Sequence, residues 1–162
     1  MLTINKQSGI YRLENTQILR GNIKDIWDFF SRPENLNKMT PDSMPFEITS
    51  KNLPTYTYQG QIITYHITIF PYIKSNWVTE ITLVENERLF IDEQRYGPYS
   101  MWHHEHHFEQ ISPQEVKMTD IISYKLPLGE LGNLVAGDLI IAKLKEIFTF
   151  RNEYCDRVFG RI

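Results

Sequence analysis

The sequence predicts an α+β fold: a curved antiparallel sheet of about seven strands wrapped around a long C-terminal helix, with two short helices after the first strand. Three observations predict it. The middle of the chain, from Phe46 to Leu126, is a succession of β-branched and aromatic runs joined by short turn signals. The last part, Leu134 to Phe159, has no proline and carries Leu134, Leu139, Ile140, Leu144, Ile147, Phe148 and Phe150 at helical spacing. Between the first strand and the middle run lies a pair of short helical segments broken at Pro33.

Taken in order, Ile10 to Leu19 alternates, with Tyr11, Leu13, Asn15 and Gln17 on one face, and Gly21 ends it. Asn22 can cap a helix whose apolar residues are Ile23, Ile26, Trp27, Phe29 and Phe30. Ser31-Arg32-Pro33 stops that helix, and Pro33 to Met39 forms a second, ended by Thr40-Pro41. Strands follow at Phe46–Asn52, Gln61–Pro71, Ser75–Val84, Arg88–Tyr96, Met101–Ile111 and Glu115–Leu126. In Ser75–Val84, residues Trp77, Thr79, Ile81 and Leu83 share a face. Short turns between consecutive strands imply an antiparallel meander. Pro127-Leu128-Gly129 closes the sheet region. A helix of about 25 residues is roughly 38 Å long and can lie across the concave face, leaving room for a cavity. Lys143, Lys145, Glu146, Arg151 and Glu153 fall off its apolar stripe.

The 162 residues suit one domain, 1–162, large enough to bury a core without staples. A net charge of -3, from 17 basic and 20 acidic residues, gives no footprint for nucleic acid. The lone Cys155 cannot form an internal disulfide or a cysteine-based zinc site, and reads as a small packing residue. Met1 to Ser8 has no signal-peptide pattern, and no apolar run approaches ~18 residues. A cytoplasmic protein with no stable membrane insertion is expected. An edge strand leaves homodimer formation open.

The stretch Trp102-His103-His104-Glu105-His106-His107-Phe108 holds four of the five histidines. On a strand, Trp102, His104, His106 and Phe108 share one face, and the large aromatics mark it as the buried one. Buried imidazoles need partners. On the flanking strands the inward faces carry Phe90, Asp92, Gln94 and Tyr96, and Val116, Met118, Asp120, Ile122, Tyr124 and Leu126. Tyr65 and Trp77 can join that wall. Three readings stay open for the polar patch of Asp92, Gln94, His104, His106, Asp120 and Tyr124. It is a satisfied buried network, a set of groups that orients an apolar ligand, or an acid–base site in which a carboxylate fixes a histidine tautomer. No nucleophile is evident.

On the opposite face, His103, Glu105 and His107 are the types that bind zinc or nickel, but no second cluster completes such a site, and a solvated face is the better reading. No metal and no cofactor are expected. Phe70-Pro71-Tyr72 and Met39 to Met44 are read as lips of the cavity.

The order of elements resembles the helix-grip fold of the START-like (SRPBCC) superfamily over about Ile10 to Phe159. A narrower similarity lies in Gly97-Pro98-Tyr99, Trp102-x-His104-x-His106-x-Phe108, Asp120-x-x-x-Tyr124 and Leu126-Pro127-Leu128-Gly129-x-Leu131-Gly132. It resembles a bacterial ligand-binding subgroup, some members of which carry a "cell division inhibitor" label. No dinucleotide-binding glycine motif of the kind that accompanies those proteins occurs here. The superfamily includes lipid and steroid carriers, coenzyme Q-binding proteins and polyketide aromatases and cyclases. The resemblance therefore implies binding of a hydrophobic small molecule: a lipid, isoprenoid, quinone or polyketide-like compound. The implied ligand-binding residues are Tyr65, Trp77, Phe90, Asp92, Gln94, Trp102, His104, His106, Phe108, Asp120 and Tyr124. One alternative is a cyclase- or dehydratase-type enzyme using His104 or His106 with Asp120 or Asp92. Another is a regulatory or interaction protein without a small-molecule site.

Overall fold

The computed structural model describes residues 1–70 and 73–160. Its strands are β1 (Leu2–Gln7), β2 (Ile10–Arg20), β3 (Phe46–Ile48), β4 (Ile62–Phe70), β5 (Ile73–Glu85), β6 (Leu89–Tyr96), β7 (Met101–Ser112) and β8 (Glu115–Lys125). They form one antiparallel sheet in the order β1-β2-β8-β7-β6-β5-β4-β3. The helices are α1 (Ile23–Phe30), a 3₁₀ segment (Pro33–Met39) and α2 (Gly129–Phe159). The predicted α+β architecture is the one observed.

Among the described residues the sheet has eight strands, one more than expected. The addition is β1, in which only Leu2 and Ile4 alternate inward, too weak a pattern to read from sequence. It is held by a two-residue turn, Ser8-Gly9, with φ of 51° and 77° and Gln7 opposite Ile10. Two consecutive positive φ values match the right-handed twist of the strands they join.

Asn22 caps α1 as expected: its side chain accepts a 3.0 Å bond from the Asp25 amide. Ile26, Trp27 and Phe30 are buried from this helix. The second segment is 3₁₀ rather than α, since a short run between Pro33 and Pro41 closes i→i+3 turns more easily than full α turns. Strand β3 stops at Ile48, earlier than expected, because Thr49 and Ser50 both turn their amides onto the Thr64 carbonyl and Asn52 takes a φ of 58°. Register shifts in the β5–β6 pairing break the simple alternation. As a result Val84, not Leu83, packs in the core, and Tyr96 is exposed.

Helix α2 lays Ile140, Leu144, Phe148, Arg151 and Cys155 along the sheet as one buried stripe. The first three pack on Tyr11, Leu13, Ile122 and Tyr124. Cys155 reaches a second cluster with Leu19, Val116 and Met118, closed by Trp27 and Phe30 of α1. Leu134 and Leu139 are exposed instead of packed, and Arg151 lies on the buried stripe instead of the polar face. Two reciprocal amide bonds between Asn15 and Asn152, at 2.9 and 3.0 Å, fasten α2 to β2. Among the described residues, no helix is long and apolar enough to cross a membrane.

Candidate functional site

Strands β6, β7 and β8 lie side by side, and antiparallel register sets the polar patch. Asp92 stands opposite His104 on one side of β7, and Asp120 stands opposite His106 on the other. Because His104 and His106 are two residues apart, both imidazoles rise from the same face. Their ring centroids are 3.8 Å apart, and His106 also stacks on Phe90 at 4.0 Å.

All four ring nitrogens face a carboxylate. Asp120 Oδ1 lies 3.1 Å from His104 Nε2 and 2.9 Å from His106 Nδ1. Asp92 Oδ2 lies 2.9 Å from His106 Nε2 and 3.5 Å from His104 Nδ1. The 2.9 Å approach of His106 Nδ1 to Asp120 is a close ionic contact off the hydrogen-bonding direction. From α2, Arg151 brings Nη1 to 3.5 Å from Asp120 Oδ1 and lays its guanidinium over the Phe148 ring. His104, His106, Asp120 and Arg151 are buried, whereas Asp92 keeps a side-chain exposure of 17%.

The electrostatics of this cluster are self-consistent. Burial opposes ionisation of Asp120, but the hydrogen bond with His104, the close His106 imidazole and the Arg151 charge hold it well below the usual carboxylate range. Asp92 is likewise lowered, because the two histidines outweigh its desolvation. Burial, reinforced by the neighbouring His106, depresses His104. For His106 the two adjacent carboxylates, Asp120 and Asp92, outweigh burial and raise it. The two imidazoles are thus pulled apart, His106 toward and His104 away from the protonated form.

A pocket of about 220 Å³ opens onto this cluster. Its floor is the concave side of β4 to β7, with Ile63, Tyr65, Trp77, Ile81 and Trp102. One wall is the 3₁₀ segment and its continuation, through Leu36, Met39 and Met44. The other is α2, through Ile140, Leu144, Ile147 and Phe148. Asp92, His104, His106 and Arg151 form a polar end, and Arg32, Thr40 and Lys143 also contribute to the lining. Tyr65 is buried, and its phenol is pushed up by desolvation and by the Asp92 charge.

Of the sequence-predicted ligand residues, Tyr65, Trp77, Phe90, Asp92, Trp102, His104 and His106 line this pocket. Gln94, Phe108, Asp120 and Tyr124 do not. Gln94 is spent on both backbone groups of Tyr99, at 2.7 and 3.2 Å, and Tyr99 is the lining residue in its place. Phe108 packs on Trp27 and Phe30 in the plug. Asp120 sits behind the two imidazoles. Tyr124 is fully buried and stacks on Tyr11 at 5.0 Å. The lip Met39 to Met44 does contribute Met39, Thr40 and Met44, whereas Pro71 and Tyr72 of the other expected lip lie outside the described residues. Sequence reading missed the α2 wall and Arg151. The signal was present: Leu144, Phe148, Arg151 and Cys155 follow one helical stripe with a cation inside it.

On the outer face, His103 pairs with Glu93 at 2.9 Å and His107 with Glu105 at 2.8 Å, a row of partly exposed side chains.

No protein-family model matches the sequence, and no curated protein does. Solved structures do match. The Zhui aromatase/cyclase from Streptomyces sp. R1128 superposes with a TM-score of 0.68 at 13% identity, over 90% of this chain and 91% of that one. Ginseng major latex-like protein 151 from Panax ginseng gives 0.67 at 11% identity, over 94% and 99%. Protein Ms6760 from Mycobacterium smegmatis gives 0.63 at 17% identity, over 94% and 96%. The chain has the helix-grip fold. At such identities the helix-grip likeness concerns the backbone, and the chemistry has to be argued from the side chains.

Proposed function

We propose that this helix-grip protein binds a largely apolar small molecule in the pocket between sheet, 3₁₀ segment and α2. The ligand class is a lipid, isoprenoid, quinone or polyketide-like compound carrying one polar group. The observation that carries this reading is the composition of the lining: aromatic and aliphatic walls ending on Asp92, His104, His106 and Arg151. Apolar walls give affinity through burial, and a few convergent polar groups orient the ligand.

A cyclase- or dehydratase-type reaction is the second reading, favoured by two imidazoles that line the same pocket. It is the weaker one. A general base needs a nitrogen directed at its substrate, and here each imidazole nitrogen faces Asp92 or Asp120.

Native mass spectrometry of protein purified without metal resin, set against its denatured mass, tests the binding reading. A non-covalent excess of a few hundred daltons is the expected result, or, for stripped protein, saturable binding of an environment-sensitive apolar fluorophore. A bare mass together with no saturable fluorophore binding overturns it.

A further inference from the structure

We propose that Asp92, His104 and His106 form a binding site for a divalent first-row transition-metal ion, open toward the pocket. The three residues offer one ligand atom each, and these atoms lie within 4.8 Å of one another.

The division of labour between the two carboxylates carries the proposal. Asp120 occupies one nitrogen of each imidazole, Nε2 of His104 and Nδ1 of His106. That leaves His104 Nδ1 and His106 Nε2, and both turn to the same oxygen, Asp92 Oδ2, at 3.5 and 2.9 Å. In a tetrahedral site with metal–ligand bonds of about 2.0–2.1 Å, neighbouring donors stand roughly 3.3–3.4 Å apart. The two distances bracket that spacing, so a small adjustment admits an ion. Asp120 is then the outer carboxylate that holds the His104 tautomer through Nε2 and stands 2.9 Å from His106 Nδ1, the usual companion of metal-bound histidine. Arg151 in turn holds Asp120.

Charge favours a cation. With both imidazoles neutral, Asp92 and Asp120 exceed the neighbouring Arg151 by one negative charge, the sign that attracts a cation. The donor set of two imidazoles and one carboxylate suits zinc, iron(II), cobalt or nickel better than magnesium or calcium. Three protein ligands leave a coordination position for water or for a ligand atom. The pocket is where that position faces, because Asp92, His104 and His106 all line it. The site does not rest on the apolar-ligand reading, since metal uptake is measured with no organic molecule present.

The experiment uses untagged full-length protein, purified without metal resin, stripped with chelator and titrated with Co²⁺ and then Zn²⁺. One equivalent of Co²⁺ is expected to bind with visible d–d absorption, which Zn²⁺ abolishes by displacement, and either ion raises the melting temperature. Asp92→Asn, His104→Gln and His106→Gln each weaken uptake by at least about a hundredfold, and Asp120→Asn by about 10–100-fold. The outer-face double variant His103→Gln/His107→Gln keeps wild-type affinity. Circular dichroism checks each fold, and Asp92→Asn, at the most exposed ligand, carries the test if a histidine variant unfolds. No uptake by the folded wild type overturns the proposal, as does uptake that survives Asp92→Asn and disappears in the outer-face variant. Saturable apolar-probe binding without metal uptake sinks this site alone and leaves the ligand reading intact.

Discussion

Arg151 is the residue whose burial organises the polar end of the molecule. Its guanidinium lies 4.9 Å from the Phe148 ring and its Nη1 is 3.5 Å from Asp120. It lines the pocket while only 6% exposed. Replacing it with methionine keeps the apolar stem and the stripe but takes the guanidinium away from Asp120. A buried carboxylate that loses its partner is costly to keep ionised. Urea denaturation of Arg151→Met at neutral pH should therefore show a loss on the order of 3 kcal/mol. The histidines at 104 and 106 were legible as an inward pair because alternation is a strictly local rule. Arg151 was not, because a cation on a helix defaults to the solvent side unless a specific buried anion awaits it. That anion, Asp120, is far away in sequence.

At the scale of the element, the start of α2 shows how a local steric fact sets a boundary. Leu128 and Gly129 take φ of 63° and 55°, which turns the chain out of the sheet and into the helix. Gly132 then passes so close to the preceding turn that a Cβ there would stand 1.9 Å from the Pro127 carbonyl oxygen. Gly132→Ala must therefore displace the first turn. The expected outcome is loss of hydrogen-exchange protection confined to the first turns of α2, with a global cost of about 1–3 kcal/mol. Protection equal to wild type would refute the steric account. The boundary was missed in the sequence because the periodic apolar pattern begins only at Leu134, and a glycine pair reads as a turn. The 3₁₀ segment, by contrast, was placed at Pro33 to Met39 because proline marks its start.

At the scale of the whole molecule, the pocket belongs to no single element. Sheet, 3₁₀ segment and α2 each supply one side, and they meet because α1 plugs one end with Trp27 and Phe30 against Phe90 and Phe108. If the proposed ligand occupies this space, filling it from α2 should exclude the ligand while leaving the core intact. Ile147→Trp places a large ring on the pocket side of the helix, beside and not within the buried stripe. Its expected effect is a loss of apolar-probe affinity of at least about tenfold, with a melting temperature within a few degrees of wild type, as for a partly buried position. Unchanged affinity would place the probe elsewhere on the protein.

The sequence by itself determined the order of the elements from Ile10 onward. It also put Asp92 on the inward face of β6 and His104 and His106 together on that of β7. All of these follow from periods of 2.0 and 3.6 residues and from proline and glycine punctuation. Only the tertiary structure decided that Asp120 stands behind the imidazoles rather than in the pocket wall, that bulges in β5 turn Val84 inward, and that α2 supplies both an apolar wall and a buried arginine. Those outcomes depend on register, on bulges and on the angle at which a helix crosses a sheet. Each is set by packing between residues distant in the chain, which no local pattern encodes.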